Sequence, residues 1–178
     1  NIGSLNTIET ADLLESRRTD VVVIYGTGLI KPPLLDRFAG RMINMHLGLS
    51  PYYRGTATNF YPLVNGEPEY VGATIHSIDS GAISHHARPE ITADDMPHTV
   101  GCKAIQAGIE KVLLTLGEIE SGSASTVPQW PVENPRLYLR KQYHPSQVVQ
   151  LYKLIEEGLF PSYVARKQDV ENAFRLVP

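Results

Sequence analysis

The segment Asp20-Val21-Val22-Val23-Ile24-Tyr25 is β-branched and apolar, with no polar alternation. A run this short is read as a strand covered on both faces, as in a parallel sheet with helices above and below. Gly26-Thr27-Gly28 ends it. A short helix is predicted from about Pro32 to Phe38, then a second apolar strand, Arg41-Met42-Ile43-Asn44-Met45-His46. Ahead of both, a helix is predicted between Asn6 and Asp20, capped by Thr7 and carrying Arg17 and Arg18 at its cation-favouring end. Helix, strand, helix, strand is a βαβ rhythm with a right-handed parallel crossover. The expected class is therefore α/β, Rossmann-like, with a mostly parallel sheet.

Further along, Leu47 to Gly55 is rich in turn formers, and a helix is predicted around Thr58 to Val64. Val71 to Ile78 alternates as a strand, with a neighbour in Ala82 to Ile91. Pro97 to Leu116 keeps one apolar face (Val100, Ile105, Ile109, Val112, Leu113, Leu116) and is the clearest helix. Ser121 to Pro135 is polar and proline-punctuated, and a last helix spans about Pro145 to Glu157 before Gly158. The expected division is a catalytic domain over residues 1–120 and a loop and helical tail over 121–178.

Composition narrows the function classes. With 42% hydrophobic and 20% charged residues in 178, a sizeable core is within reach. A net charge of −3 argues against a strongly basic nucleic-acid binder. Cys102 is the one cysteine, which excludes an intramolecular disulfide and any multi-cysteine zinc module and favours an intracellular, cytoplasmic setting. No apolar run approaches the roughly 20 residues that span a bilayer, and no signal-peptide pattern opens the sequence.

In open α/β sheets, ligands lie beyond the carboxyl ends of the strands. Asn44 and His46 close a strand there, and alternation puts both side chains on one face. A neutral imidazole can take a proton near pH 7, and an adjacent amide can steady a developing oxyanion. The competing reading is a turn-closing Asn and a packed His, and spacing alone leaves both open. His76, Asp79, His85 and His86 are metal-ligand types, but neighbours on a strand face opposite ways, so no metal is expected. Arg54 can hold a phosphate or carboxylate, or anchor its own loop. Tyr52, Tyr53, Phe60 and Tyr61 can line an acceptor pocket or pack.

The stretch Asn44-Met45-His46-Leu47-Gly48-Leu49-Ser50-Pro51-Tyr52-Tyr53-Arg54-Gly55 resembles the Asn-x-His-x-Ser-Leu-Leu-Pro-x-Tyr-Arg-Gly segment of the folate-dependent formyltransferases. Asn65-Gly66-Glu67 and Gly72-Ala73-Thr74-Ile75-His76 continue the likeness in the same order, over roughly Val21 to Leu116. The resemblance implies formyl transfer from 10-formyltetrahydrofolate to a small-molecule primary amine, with an amino sugar as the favoured acceptor. By position, Asn44 would hold the formyl oxygen and His46 would act as general base. The backbone of Gly26, Thr27, Gly28, Leu29 and Ile30 would hold the pterin, and Tyr53 and Arg54 the acceptor. The rival readings are a scaffold that only binds a ligand and a hydrolase of the same folate.

The family's third catalytic group is an aspartate in His-x-x-Asp-x-Gly-x-Asp-x-Gly-x-Ile. Here the text is shorter: His76-Ser77-Ile78-Asp79-Ser80-Gly81-Ala82-Ile83. Asp79 matches the catalytic aspartate, or matches the earlier one with the catalytic residue absent, or residues are missing from the loop. Asp79 is the one nearby carboxylate to nominate. In the family several βα units precede Asn-x-His, so the sheet's first half is expected to be lacking. A longer parent chain or a second copy in a homo-oligomer would then cover the open edge.

Overall fold

The computed structural model describes residues 5–178, so the first four residues of the expected catalytic domain lie outside the described residues. Helix α1 (Ile8–Ser16) starts where Thr7 accepts a hydrogen bond from the Thr10 amide at 3.2 Å. Strand β1 (Val22–Tyr25), helix α2 (Leu34–Arg37) and strand β2 (Met42–Leu47) follow, and β1 and β2 pair in parallel as the rhythm predicts.

Beyond β2 the sheet departs from expectation. Strands β4 (Ala73–Ser77) and β5 (Ile83–Ala87) complete the order β1-β2-β4-β5, and the β2–β4 and β4–β5 ladders are antiparallel. The expected mostly parallel sheet is thus a mixed one. A parallel return needs a crossover that carries the chain back along the sheet. After β2 the chain spends its residues on a short strand, β3 (Tyr53–Gly55), and a single helical turn, α3 (Tyr61–Val64), and so reverses at the end where β2 stops.

A second correction concerns β1. It lies at the edge of the sheet, with Val23 43% and Tyr25 46% exposed, so it is not covered on both faces. Its inner neighbours are packed. Ile24 and Met42 join Ala11, Leu34 and Phe38 on one side of the sheet. On the other side, Ile43, Met45, Ala73, Ile75 and Ala87 meet Val112 of the long helix α4 (Pro97–Ser121). Gly108 lets that helix close in, since a Cβ there would stand 2.8 Å from Met45 Sδ and 3.0 Å from Ala73 Cβ.

The residues after α4 fold back. Strand β6 (Arg136–Tyr138) pairs in parallel with β3. Helices α5 (Pro145–Glu156) and α6 (Leu159–Asn172) put Leu151, Leu159, Phe160 and Tyr163 into one cluster with Leu63, Val71, Ile91 and Val100. Helix α6 has no counterpart in the sequence reading. Its buried residues crowd its first turns, so no apolar stripe runs its length. Among the described residues no helix is long and apolar enough to cross a membrane.

Candidate active site

The carboxyl end of β2 presents two side chains to one cavity. Register pairs Asn44 with His76 and His46 with Thr74. Alternation then turns Asn44 and His46 away from the α4 side, where Ile43 and Met45 are buried. The cavity holds about 420 Å³ and is walled by Tyr25 at the end of β1 and Gly26 and Thr27 after it, by Asn44 to Leu47, and by Gly55 to Phe60. None of these side chains carries a formal charge at neutral pH apart from what His46 can take up.

The Asn44 amide nitrogen stands 3.0 Å from His76 Nε2. His46 Nε2 stands 3.5 Å from the Thr58 hydroxyl, which itself donates to the Leu47 carbonyl. The backbone must come close for this. Gly48 has φ 142, and a Cβ on it would fall 2.6 Å from Thr58 Cβ and 3.1 Å from His46 Nε2. Burial first, and then the neighbouring His76, lower the pKa of His46 to about 4, against a hydrogen bond with the Tyr53 backbone that favours the charged form. His46 is a neutral imidazole at pH 7.

A second buried imidazole behaves alike. His86 Nε2 donates to the Ser50 carbonyl at 2.7 Å, and its Nδ1 accepts from the Val177 amide at 2.8 Å. Burial holds its pKa at about 4, with the Ser50 bond opposing and Arg88 and His85 assisting. Both groups titrate near 6.5 when unfolded. Between pH 6.5 and 4 the unfolded chain therefore binds more protons, and stability falls as pH is lowered through that window. The loss is on the order of 3 kcal/mol per imidazole. Urea midpoints should drop steadily from pH 7 to pH 4.5 and flatten in a His46→Gln/His86→Gln double variant. A midpoint that does not move would contradict these assignments.

The other sequence-predicted residues scatter. Gly26 and Thr27 reach the cavity, while Gly28, Leu29 and Ile30 do not line it. Leu29 is 81% exposed, and its carbonyl accepts from Asn6 at 2.9 Å. Tyr53 is buried elsewhere, donating to Glu67, accepting from Asn65 at 2.8 Å and lying parallel to Tyr138. Arg54 is exposed beside Pro51 and Trp130. Tyr53 meets His46 through its backbone alone, and neither of these two side chains joins Asn44 and His46.

Asp79 lies apart from this cavity. Residues 78–82 alone join β4 to β5, with Ser77 and Ala82 bonded across the turn at 2.9 Å. So tight a hairpin leaves no chain to fold back over the cavity. The Asp79 carboxylate accepts from the Gly40 amide instead, next to the start of β2. Four residue steps of strand lead from Met42 to His46, which is roughly 13 Å at the usual rise. Asp79 is not in reach of His46. Sequence reasoning did not place two neighbours at this site: Thr58, and His76, which it weighed only as a metal ligand and as the end of a family motif. His76 could have been found by pairing its strand with β2, because register alone sets it opposite Asn44.

Among the described residues, no group of three or more His, Cys, Asp or Glu side chains could hold a metal ion. His85 and His86 do face opposite ways: His85 meets Glu118 of α4 at 2.9 Å, and His86 meets Ser50.

The family model described as formyl transferase matches residues 4–116, more than half of the chain. This chain belongs to the formyl transferase family. Among curated relatives, the methionyl-tRNA formyltransferase of Synechococcus sp. (strain JA-3-3Ab) is 32% identical over 125 residues, 68% of this chain and 39% of that protein. That of Finegoldia magna is 37% identical over 79 residues, 44% of this chain and 25% of the relative. The chain thus spans two fifths or less of these relatives' length. Among solved structures, formyltransferase PseJ from Anoxybacillus kamchatkensis, in complex with UDP-4,6-dideoxy-4-formamido-L-AltNAc and tetrahydrofolate, aligns with a TM-score of 0.59. It is 23% identical and covers 79% of this chain and 73% of its own. A sugar N-formyltransferase from Shewanella sp FDAARGOS_354 gives a TM-score of 0.62 at 19% identity, covering 84% and 65%. At such identities the likeness speaks for the fold. It agrees with the mixed α/β sheet seen here.

Proposed function

We propose that this chain transfers a formyl group from 10-formyltetrahydrofolate to a small-molecule primary amine, with an amino sugar as the favoured acceptor. The observation that carries this reading is that Asn44, His46 and the Gly26-Thr27 turn share one cavity beyond β1 and β2. Related folds solved with tetrahydrofolate and a sugar nucleotide support it.

The folate's formyl carbon is attacked by the amine nitrogen, and the carbonyl oxygen becomes an oxyanion. Asn44 offers an amide N–H to that oxygen. His46, neutral at pH 7, accepts the proton that the attacking nitrogen sheds. The bond from the formyl carbon to the folate nitrogen then breaks, and His46 returns the proton to that nitrogen. The products are a formamide and tetrahydrofolate. The absence of charged side chains around the cavity suits a neutral amine and a flat heterocycle.

Asp79 has no part in this scheme. Asp79→Asn should keep turnover within about twofold of the parent, and a collapse of activity would return the carboxylate to the site. Its position favours a second reading, a scaffold that binds the folate without turning it over. Incubation with 10-formyltetrahydrofolate and a panel of amines separates the cases. Amine-dependent release of tetrahydrofolate supports transfer, amine-independent release indicates a hydrolase, and binding without release indicates the scaffold.

A further inference from the structure

We infer that His76 is a positioning residue that holds the Asn44 amide in the orientation the formyl oxygen requires. The inference rests on the proposed transfer reaction for its catalytic part and on geometry for the rest. Asn44 and His76 are direct cross-strand partners on β2 and β4. An amide can turn either its oxygen or its nitrogen toward a neighbour, and the ring decides which. His76 Nδ1 lies 2.9 Å from the Ser77 carbonyl, an acceptor only, so Nδ1 carries the proton. The neutral ring then has a bare lone pair at Nε2, 3.0 Å from the Asn44 nitrogen. Only a donor fits there, so the Asn44 NH2 faces His76.

Two features give this chain a need for the arrangement. Asn44 is half-buried, and its side chain has no other hydrogen-bond partner among the described residues. The carboxylate nominated from the sequence sits at the far end of β2 on Gly40 and orders nothing at the cavity. One N–H of Asn44 is anchored on His76, and the second is left to point at a substrate oxygen. Burial lowers the pKa of His76, which keeps the lone pair free at neutral pH. A protonated ring would instead present an N–H to the amide and favour the flipped orientation, with the Asn44 oxygen inward.

The test pairs His76→Phe, which removes the acceptor at similar bulk, with His76→Gln, whose side-chain oxygen can accept again. In 15N-labelled protein the Asn44 side-chain amide is identified as the pair of resonances lost in Asn44→Asp. It should shift in His76→Phe and return toward its parent position in His76→Gln, with unchanged backbone amides elsewhere reporting an intact fold. The rate of formyl transfer should fall roughly 10- to 100-fold in His76→Phe, short of the loss expected on deleting an oxyanion donor. KM for the folate should stay within about twofold, and His76→Gln should recover most of the rate. An Asn44 amide that ignores both substitutions would overturn the inference. Absence of turnover in the parent protein would count against the transferase reading alone, because the resonance experiment needs no activity.

Discussion

The His46→Ala variant should lose about 10²–10⁴-fold in formyl-transfer rate while binding the folate donor within about threefold of the parent. The asymmetry follows from where the ring sits. It lines the cavity at the end of β2, but the rest of the wall comes from Gly26, Thr27, Phe60 and the loop before it. Removing the ring takes away the one group able to move a proton and leaves those surfaces standing. Thr58 should hold its place, because its hydroxyl is anchored on the Leu47 carbonyl. Single-turnover rates and equilibrium titration of the donor, measured on the same preparation, give the two numbers. Full activity without the imidazole would end the proposed proton transfer. An equal loss of rate and of affinity would make His46 a binding residue.

The Phe160→Ala variant should be destabilised by about 3–5 kcal/mol, the usual cost of emptying a buried aromatic site. Phe160 is 1% exposed, in the cluster where α5 and α6 meet Leu63, Val71, Ile91 and Val100. We propose that the tail and the preceding domain unfold together, because this one core contains residues of both. Circular dichroism at 222 nm and near-ultraviolet signals should then shift in parallel, as one transition at lower temperature. Two separated transitions, with only the helical signal moving, would divide the chain near residue 120.

What could be read in the sequence was whatever depends on a residue's own strand. Alternation along β2 placed Asn44 and His46 on one face, and the βαβ spacing foretold the parallel β1–β2 pair. Properties that depend on partners were hidden. The apolar text of β1 reads as covered on both faces, while its exposed Val23 and Tyr25 reflect the open edge expected where the family's preceding βα units are lacking. The direction of β4 depends on the path of the whole segment between it and β2. Asp79 is nominated as the one nearby carboxylate in a loop shorter than the family's, and the length of that turn decides where the carboxylate lands. Strands β3 and β6 are three residues each, too short for any periodicity to register. Their pairing nonetheless turns the Tyr53 side chain away from the cavity and sets it next to Tyr138.

The ring of His86 ties together stretches that lie far apart in the chain. It binds the Ser50 carbonyl on one side and the Val177 amide on the other, while its own backbone amide donates to Val177. Ser50 in turn donates to Thr74, which donates to the Gly48 carbonyl. The loop that leaves the His46 strand is therefore moored to residue 177 through a single imidazole. Trimming residues 177 and 178 would remove one mooring of that loop and leave it held by the Thr74 hydroxyl and by the bond from Tyr52 to the Arg175 carbonyl.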